Sequence, residues 1–222
     1  MPDDRGHPPR ETRRARRAAP EVRQADILEA ALHEFARHGF SAARMEDVAR
    51  NARVSKGTVY LYYPTKQALF EALVRRDVGP RVDVISGFLN AYDGPLEPGL
   101  LRLAELAGPI IESGTLPVYP KLLIAEASRF PDLAQFYRRE VVERMLGAMS
   151  GLFRRAAARG EINGATDPDM AAHLFIAPFL KAVMWSLVFA PTETTPFPPG
   201  PYLMAHVRLF LAGLSRKEPD HA

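Results

Sequence analysis

The stretch GFSAARMEDVARNARVSKGTVYLYYPTKQALF, residues 39–70, decides the reading of this chain. Met45, Val48 and Ala49 recur at three- and four-residue steps, the period of one helical face. Glu46 and Asp47 favour the N-terminal dipole of that short helix, which is expected over Met45 to Asn51. Ala52-Arg53-Val54 breaks the pattern. Ser55 then stands where its hydroxyl can cap a third helix running through Val59, Tyr60 and Tyr63. Pro64 ends that helix, and Thr65 can cap a fourth one beginning at Lys66. Upstream, Ile27, Leu28, Ala31, Leu32 and Phe35 form the stripe of a longer amphipathic helix, closed by His38-Gly39. Short helices with a tight turn between the second and third describe a helix-turn-helix unit.

Composition narrows the classes around that unit. The chain has 222 residues with 47% hydrophobic side chains, enough for one large domain or two small ones. No apolar run reaches the ~18 residues of a membrane span, and the N-terminus lacks the apolar core of a secretory signal. Cysteine is absent, which excludes a disulfide scaffold, a thiol nucleophile and a thiolate zinc site, and suits a cytoplasmic location. The formal charge of +3 is unevenly placed: residues 1–66 hold 13 Lys/Arg against 9 Asp/Glu, while the remainder is close to neutral. That asymmetry points towards nucleic acid. Residues 1–20, with four prolines and the cluster Arg13, Arg14, Arg16 and Arg17, read as a disordered basic arm able to reach phosphates.

No metal-ligand spacing, phosphate-cradling glycine loop or nucleophile elbow is present, so neither a cofactor nor an enzyme activity is expected. The rest of the chain also reads as helical, near residues 66–92, 97–114, 117–128, 132–159, 168–190 and 200–215. Gly79-Pro80 should interrupt the first of these, and Pro109, Pro117, Pro120 and Pro178 should disturb others. The proline-rich stretch 191–201 reads as a linker.

The quoted stretch closely resembles the DNA-binding domain of TetR/AcrR transcriptional regulators. The likeness lies in the Gly-aromatic helix end, Val48-Ala49, the run Val-Ser-Lys-Gly-Thr-Val-Tyr at 54–60, Tyr62, Tyr63 and Thr65-Lys66. It implies an all-α fold. A helix-turn-helix domain over 21–66 would be followed by a helical effector-binding and dimerisation domain over 67–222. It also implies DNA contacts at Ser55, Lys56, Thr58, Tyr60, Leu61, Tyr62 and Lys66. The residue types suit a major groove ~12 Å wide. Ser55, Lys56, Gly57 and Thr58 make a small, polar helix start. Lys56 reaches a phosphate or a guanine edge, Thr58 and Tyr62 donate to phosphates, and Lys66 clamps a flanking phosphate. Two features depart from the family. Ala43 and Arg44 replace the usual capping Thr/Ser, so the second helix is capped by Ser41 or weakly, and Arg44 offers a charged phosphate contact. Arg53 stands where the turn usually has glycine.

In the remainder, LLIAEASRFPDLAQFYRREV from residue 122 is similar to the effector half of AcrR-like regulators, with Pro131-Asp132 opening a helix. That similarity implies a homodimer built on the last two helices. Leu174, Phe175, Phe179, Trp185, Leu187, Val188 and Phe189 supply one apolar surface; Leu203, Val207, Phe210, Leu211 and Leu214 supply another. An apolar effector cavity is expected from Phe88, Tyr92, Leu106, Ile110, Tyr119 and Leu123 in the first part of that domain. Phe136, Met145, Met149, Phe179, Met184 and Trp185 complete it, with Glu105, Glu112, Glu126 and Arg144 as polar anchors. The function so implied is a homodimeric repressor that leaves a palindromic double-stranded operator when a small apolar or amphipathic molecule binds. Control by a protein partner, or nonspecific DNA binding, remains as an alternative.

Overall fold

Helix α1 (Pro20–Ala42) follows from its stripe: Ile27, Leu28, Ala30, Ala31 and Phe35 are all buried. At Gly39 the backbone takes φ 76° and leaves the helical region, a conformation open to glycine at little steric cost. The residues that follow turn inward and deliver Phe40 to the core. Its ring lies 5.4 Å from that of Phe35 and 6.2 Å, edge-on, from that of Phe70. This is a computed structural model, and it describes residues 20–112, 118–189 and 197–214. The arginine cluster expected to form an arm, Pro117, and most of the expected linker lie outside the described residues.

Helices α2 (Met45–Asn51) and α3 (Lys56–Tyr62) have seven residues each, too few to persist alone in water. End contacts and packing hold them. Helix α2 starts at Arg44 with no side-chain cap, as the missing Ser/Thr implied. Its far end is a Schellman turn: Val54 N–H donates to Ala49 O at 3.0 Å, and Arg53 N–H to Arg50 O at 3.1 Å. Arg53 takes the left-handed position at φ 55°, where glycine is the usual occupant. Ser55 Oγ accepts from Thr58 N at 3.1 Å and caps α3. Thr65 Oγ1 accepts from Ala68 N at 3.0 Å at the start of α4 (Lys66–Asp77).

The chain forms two compact units, Met1–Leu73 and Val74–Ala222. The division falls within α4, later than the boundary at residues 66/67 expected above. The reason is packing: Leu69, Phe70 and Leu73 are wholly buried, and Phe70 faces Phe40.

The second unit is a helical bundle, with no strand among the described residues. Gly79-Pro80 opens α5 (Gly79–Ala91), with Pro80 in the first turn where no donor is lost. Helix α6 (Leu96–Glu112) buries Leu96, Leu100, Leu103, Ala107 and Ile111 along one face. Helices α7 (Val118–Glu126) and α8 (Pro131–Tyr137) follow, the latter opening at Pro131 as expected. The single helix expected over 132–159 is in fact interrupted. A π-helical turn at Arg138–Val142 separates α8 from α9 (Glu143–Ala158) and shifts the register between them. Asp167 caps α10 (Pro168–Val188) by accepting from Asp169 N at 2.9 Å. Pro178 does not break α10, because wholly buried Phe175 and Ala182 hold the helix on either side of it. Pro109 likewise lies inside the continuous α6, and Pro120 in the first turn of α7. Helix α11 (Pro199–Leu214) lies against α6 so closely that a Cβ on Gly108 would sit 3.3 Å from Gly200 Cα.

Phe153, Phe175 and Phe210 form the aromatic centre of this core, with ring centroids 5.1–5.9 Å apart. Leu89, Leu100, Met149, Leu152 and Val207 surround it. Phe175, Leu203 and Val207, assigned above to an intersubunit surface, are therefore this unit's own core, each wholly buried. Among the described residues, the large apolar side chains left exposed on α10 and α11 are Met170, Leu174, Leu180 and Leu209, with Phe189 just beyond α10.

Candidate functional site

Helix α3 turns one residue inward and most of the others outward. Val59 is wholly buried and anchors the helix to the core. Ser55, Lys56 and Gly57 are exposed, Thr58 and Tyr62 half-buried, and Tyr60 and Leu61 are 40% and 80% exposed. Tyr63 is half-buried. Arg44 is exposed at the start of α2. An exposed leucine beside an exposed tyrosine on a short polar helix gains nothing from folding, and it suits contact with thymine methyls and sugars.

The two lysines differ. Lys56 Nζ lies 2.5 Å from Glu46 Oε1 and 5.7 Å from the centroid of the Tyr60 ring, on the exposed surface. The hydrogen bond and charge of Glu46 raise the Lys56 pKa above its ordinary value. The same hydrogen bond from Lys56, with the Glu46 backbone N–H, lowers that of Glu46. Lys66 instead donates to Phe40 O at 2.7 Å and Ser41 O at 2.8 Å, with its ammonium 5.0 Å from the Phe40 ring centroid. It ties the end of α1 to the start of α4, and the flanking phosphate expected for it would have to compete with two backbone carbonyls. Behind the turn, Asn51 donates to buried Glu34 at 2.6 Å and fixes α2 on α1. Those residues border an open groove of about 920 Å³ lined by charges of both signs, including Asp26, Glu29, Arg37 and Arg50.

The second unit holds a separate apolar cavity of about 180 Å³. Val78, Arg81, Val82 and Ile85 border it from α5 and the residue before it; Ile110 closes it from α6 and Pro120 from α7. Tyr137, Val141 and Met145 enter across the π-helical turn, and Leu180 and Val183 from α10. Of the twelve residues expected to line a cavity, this one takes only Ile110 and Met145. Met149 is core. Tyr119 is wholly buried and donates its hydroxyl to the Asp77 carboxylate, an anchor between α4 and α7; burial, then Asp77, raises its pKa. Phe136 is buried beneath the Arg75 guanidinium, 4.8 Å from its ring centroid. Phe88 and Tyr92 stack on each other at 5.4 Å, and the Tyr92 hydroxyl donates to Pro95 O. Phe179 packs on Phe175, and Trp185 on Lys181 and Phe197. Leu106, Leu123 and Met184 are half-buried away from the cavity lining. Of the anchors, Glu105 pairs with Arg102 and Arg144 with Asp83, both at the surface.

Comparison with known proteins agrees with this geometry at both ends. The family described as bacterial regulatory proteins, tetR family, matches residues 27–73, and that described as tetracyclin repressor-like, C-terminal domain, matches 95–195. The chain belongs to the TetR family of transcriptional regulators. The HTH-type transcriptional repressor SCO4008 of Streptomyces coelicolor is 44% identical over 57 residues, 26% of this chain and 30% of that protein. The uncharacterized HTH-type transcriptional regulator Rv1556 of Mycobacterium tuberculosis is 28% identical over 152 residues, 66% of this chain and 69% of that protein. The first match therefore spans less than a third of that relative's length. A solved TetR-family structure from Mesorhizobium loti superposes with a TM-score of 0.70 at 27% identity, covering 88% of this chain and 98% of that one.

As a TetR-family regulator, the chain is a DNA-binding protein, and no described helix is long and apolar enough to cross a membrane. Sequence reasoning missed nine of the eleven residues that line this regulator's cavity, Arg81, Tyr137 and Val141 among them. Tyr137 lay within the quoted Phe-Tyr-Arg motif, and a register shift at 138–142 was the missing information. Arg81 carried no signal, because one arginine after a helix-opening proline looks like any solvated cation.

Proposed function

We propose that the chain is a homodimeric, ligand-responsive repressor. It would leave a palindromic operator when a small apolar or amphipathic molecule binds the second unit. The observation that carries this reading is α3, a capped seven-residue helix whose outward face is Ser55, Lys56, Gly57, Tyr60 and Leu61. Thr58 and Tyr62 at its flanks and Arg44 on α2 extend that face towards phosphates. Exposed Met170, Leu174, Leu180 and Leu209 on α10 and α11 support pairing of two chains, which would present two α3 helices to successive major grooves. An effector that prefers one of two conformations shifts DNA affinity by that preference and no more. Helix α4 is the lever in this reading, since the division between the units falls within it.

The test is fluorescence anisotropy on the DNA upstream of the protein's own gene, beside a scrambled duplex and the Tyr60→Ala variant. A preference of ~10³-fold or more for the native duplex at near-physiological salt, lost in the variant, supports the reading. Equal weak binding to both duplexes, with steep salt dependence, would make the chain a nonspecific binder.

A further inference from the structure

The apolar cavity of the second unit has one charged group. Arg81 carries a guanidinium that offers five N–H donors. One of them donates to the backbone carbonyl of Asp77. No acid lines the cavity, and the neighbouring carboxylates are engaged elsewhere: Asp77 with Arg76 at 2.5 Å and with the Tyr119 hydroxyl, Asp83 with Arg144. Among the described residues, Arg81 has no anionic partner. A partly buried guanidinium without a counter-ion is costly unless something negative meets it.

A second donor faces the same space. The Tyr137 hydroxyl has no hydrogen-bond partner among the described residues, and burial pushes its pKa up to about 12, so it remains a neutral O–H. Val82, Ile85, Ile110, Met145 and Val183 make the rest of the wall hydrocarbon or thioether. Two donors, no anionic acceptor and an apolar wall are complementary to one carboxylate on a hydrocarbon body. The volume, about 180 Å³, sets the size. A cavity of roughly 150 Å³ lined by apolar side chains admits benzene, so this one fits a single ring with a small substituent or a short alkyl chain.

We propose that this cavity binds a small apolar monocarboxylate, with Arg81 receiving the carboxylate and Tyr137 donating to it. This rests on the reading of the second unit as an effector domain. An amine of the same shape is rejected by like charge, and an amide leaves the guanidinium without its counter-ion.

Calorimetric titration of the full chain tests this with 4-methylbenzoate and hexanoate, their amides, and 4-methylbenzylamine at up to millimolar concentrations. The carboxylates should bind about tenfold or more tightly than the amides, the amine not at all. Arg81→Gln should abolish the charge preference, acids and amides then binding alike, while far-UV circular dichroism stays that of the folded chain, a pattern that general unfolding would not produce. Arg81→Lys, which keeps the charge, should restore part of it. Amides binding as well as acids, a preference surviving in Arg81→Gln, or no binding by any compound would each overturn the proposal. The function reading is separated by a second readout, operator anisotropy with the same carboxylates. Acids that bind through Arg81 yet leave the DNA complex intact would sink the effector reading and leave this site standing.

Discussion

The recognition unit and the second unit solve the packing of helices by opposite means. In the first, the caps and turns that fix the ends of α3 lie within a few residues of it, and one longer tie is added. Ser55 caps it, the turn at Arg53 positions it, Thr65 starts the next helix and Lys66 pins α1 to α4. In the second, Phe153, Phe175 and Phe210 meet from three different helices, and the cavity collects residues from Val78 to Val183. Short-range devices hold exposed side chains at fixed places. Long-range packing leaves interior space whose shape no single segment determines. In the proposed function, that difference separates a surface for reading DNA from a volume for a ligand.

The largest test of this comparison removes one buried ring from each unit. Phe70→Ala and Phe175→Ala each delete a wholly buried aromatic side chain, and each should cost about 3–5 kcal/mol in urea unfolding. Hydrogen exchange should localise the loss, to α1 and α4 for Phe70→Ala and to α9, α10 and α11 for Phe175→Ala. If either variant loosens both sets of amides equally, the two cores are not separate.

A smaller effect decides what Lys66 does. Its two hydrogen bonds to Phe40 O and Ser41 O predict that Lys66→Met lowers stability by about 2 kcal/mol. Binding of the folded variant to operator should keep its salt dependence. A lysine on a phosphate would behave otherwise: stability would hold, and the slope of log affinity against log salt would fall by about one.

These contrasts explain what the sequence made legible. The helix-turn-helix could be located because caps and breaks are written at the positions where they act: Ser55, Pro64, Thr65, Gly39. Of its side chains, the partners of Lys66 were not legible, because the carbonyls it meets lie some 25 residues away. Helix positions in the second unit were also legible from periodicity and from Pro80 and Pro131. The cavity was not. Apolar residues such as Met149 and Ile110 look alike in sequence, and only the packing makes one core and the other wall.

The two Schellman turns sharpen the comparison at the scale of one residue. Helix α2 ends on Arg53 at φ 55°, whereas α9 ends on Gly160 at φ 73° with the same pair of backbone bonds, from Gly160 N–H to Ala157 O and Glu161 N–H to Ala156 O. A side chain in the left-handed region costs roughly 1 kcal/mol. Arg53→Gly should therefore stabilise the protein by about 1 kcal/mol, less the added freedom of its unfolded chain, and Gly160→Ala should destabilise it by about the same amount. Thermal melts of the two single variants check the opposite signs. A destabilised Arg53→Gly would mean that the arginine side chain contributes more than its backbone strain removes.

The smallest effect lies on the surface proposed to face DNA. In the unbound chain Glu46 holds Lys56 at 2.5 Å, so a phosphate approaching Lys56 must displace a carboxylate. Glu46→Gln removes that competitor and one negative charge, and operator affinity should rise a few-fold, while the melting temperature stays within error because both groups are exposed. Glu46 is held below its ordinary pKa and Lys56 above its own, so neither titrates near neutrality. The ion pair is complete there, and it is lost when acid carries Glu46 through its lowered value or alkali carries Lys56 through its raised one. The gain from Glu46→Gln should thus be constant between about pH 6 and 8. It should also vanish in the double variant Glu46→Gln/Lys56→Met, because a carboxylate acting only through Lys56 has nothing to release once the lysine is gone. A gain that persists in the double variant would place the effect of Glu46 in its own repulsion from phosphate, and Lys56 outside the contact.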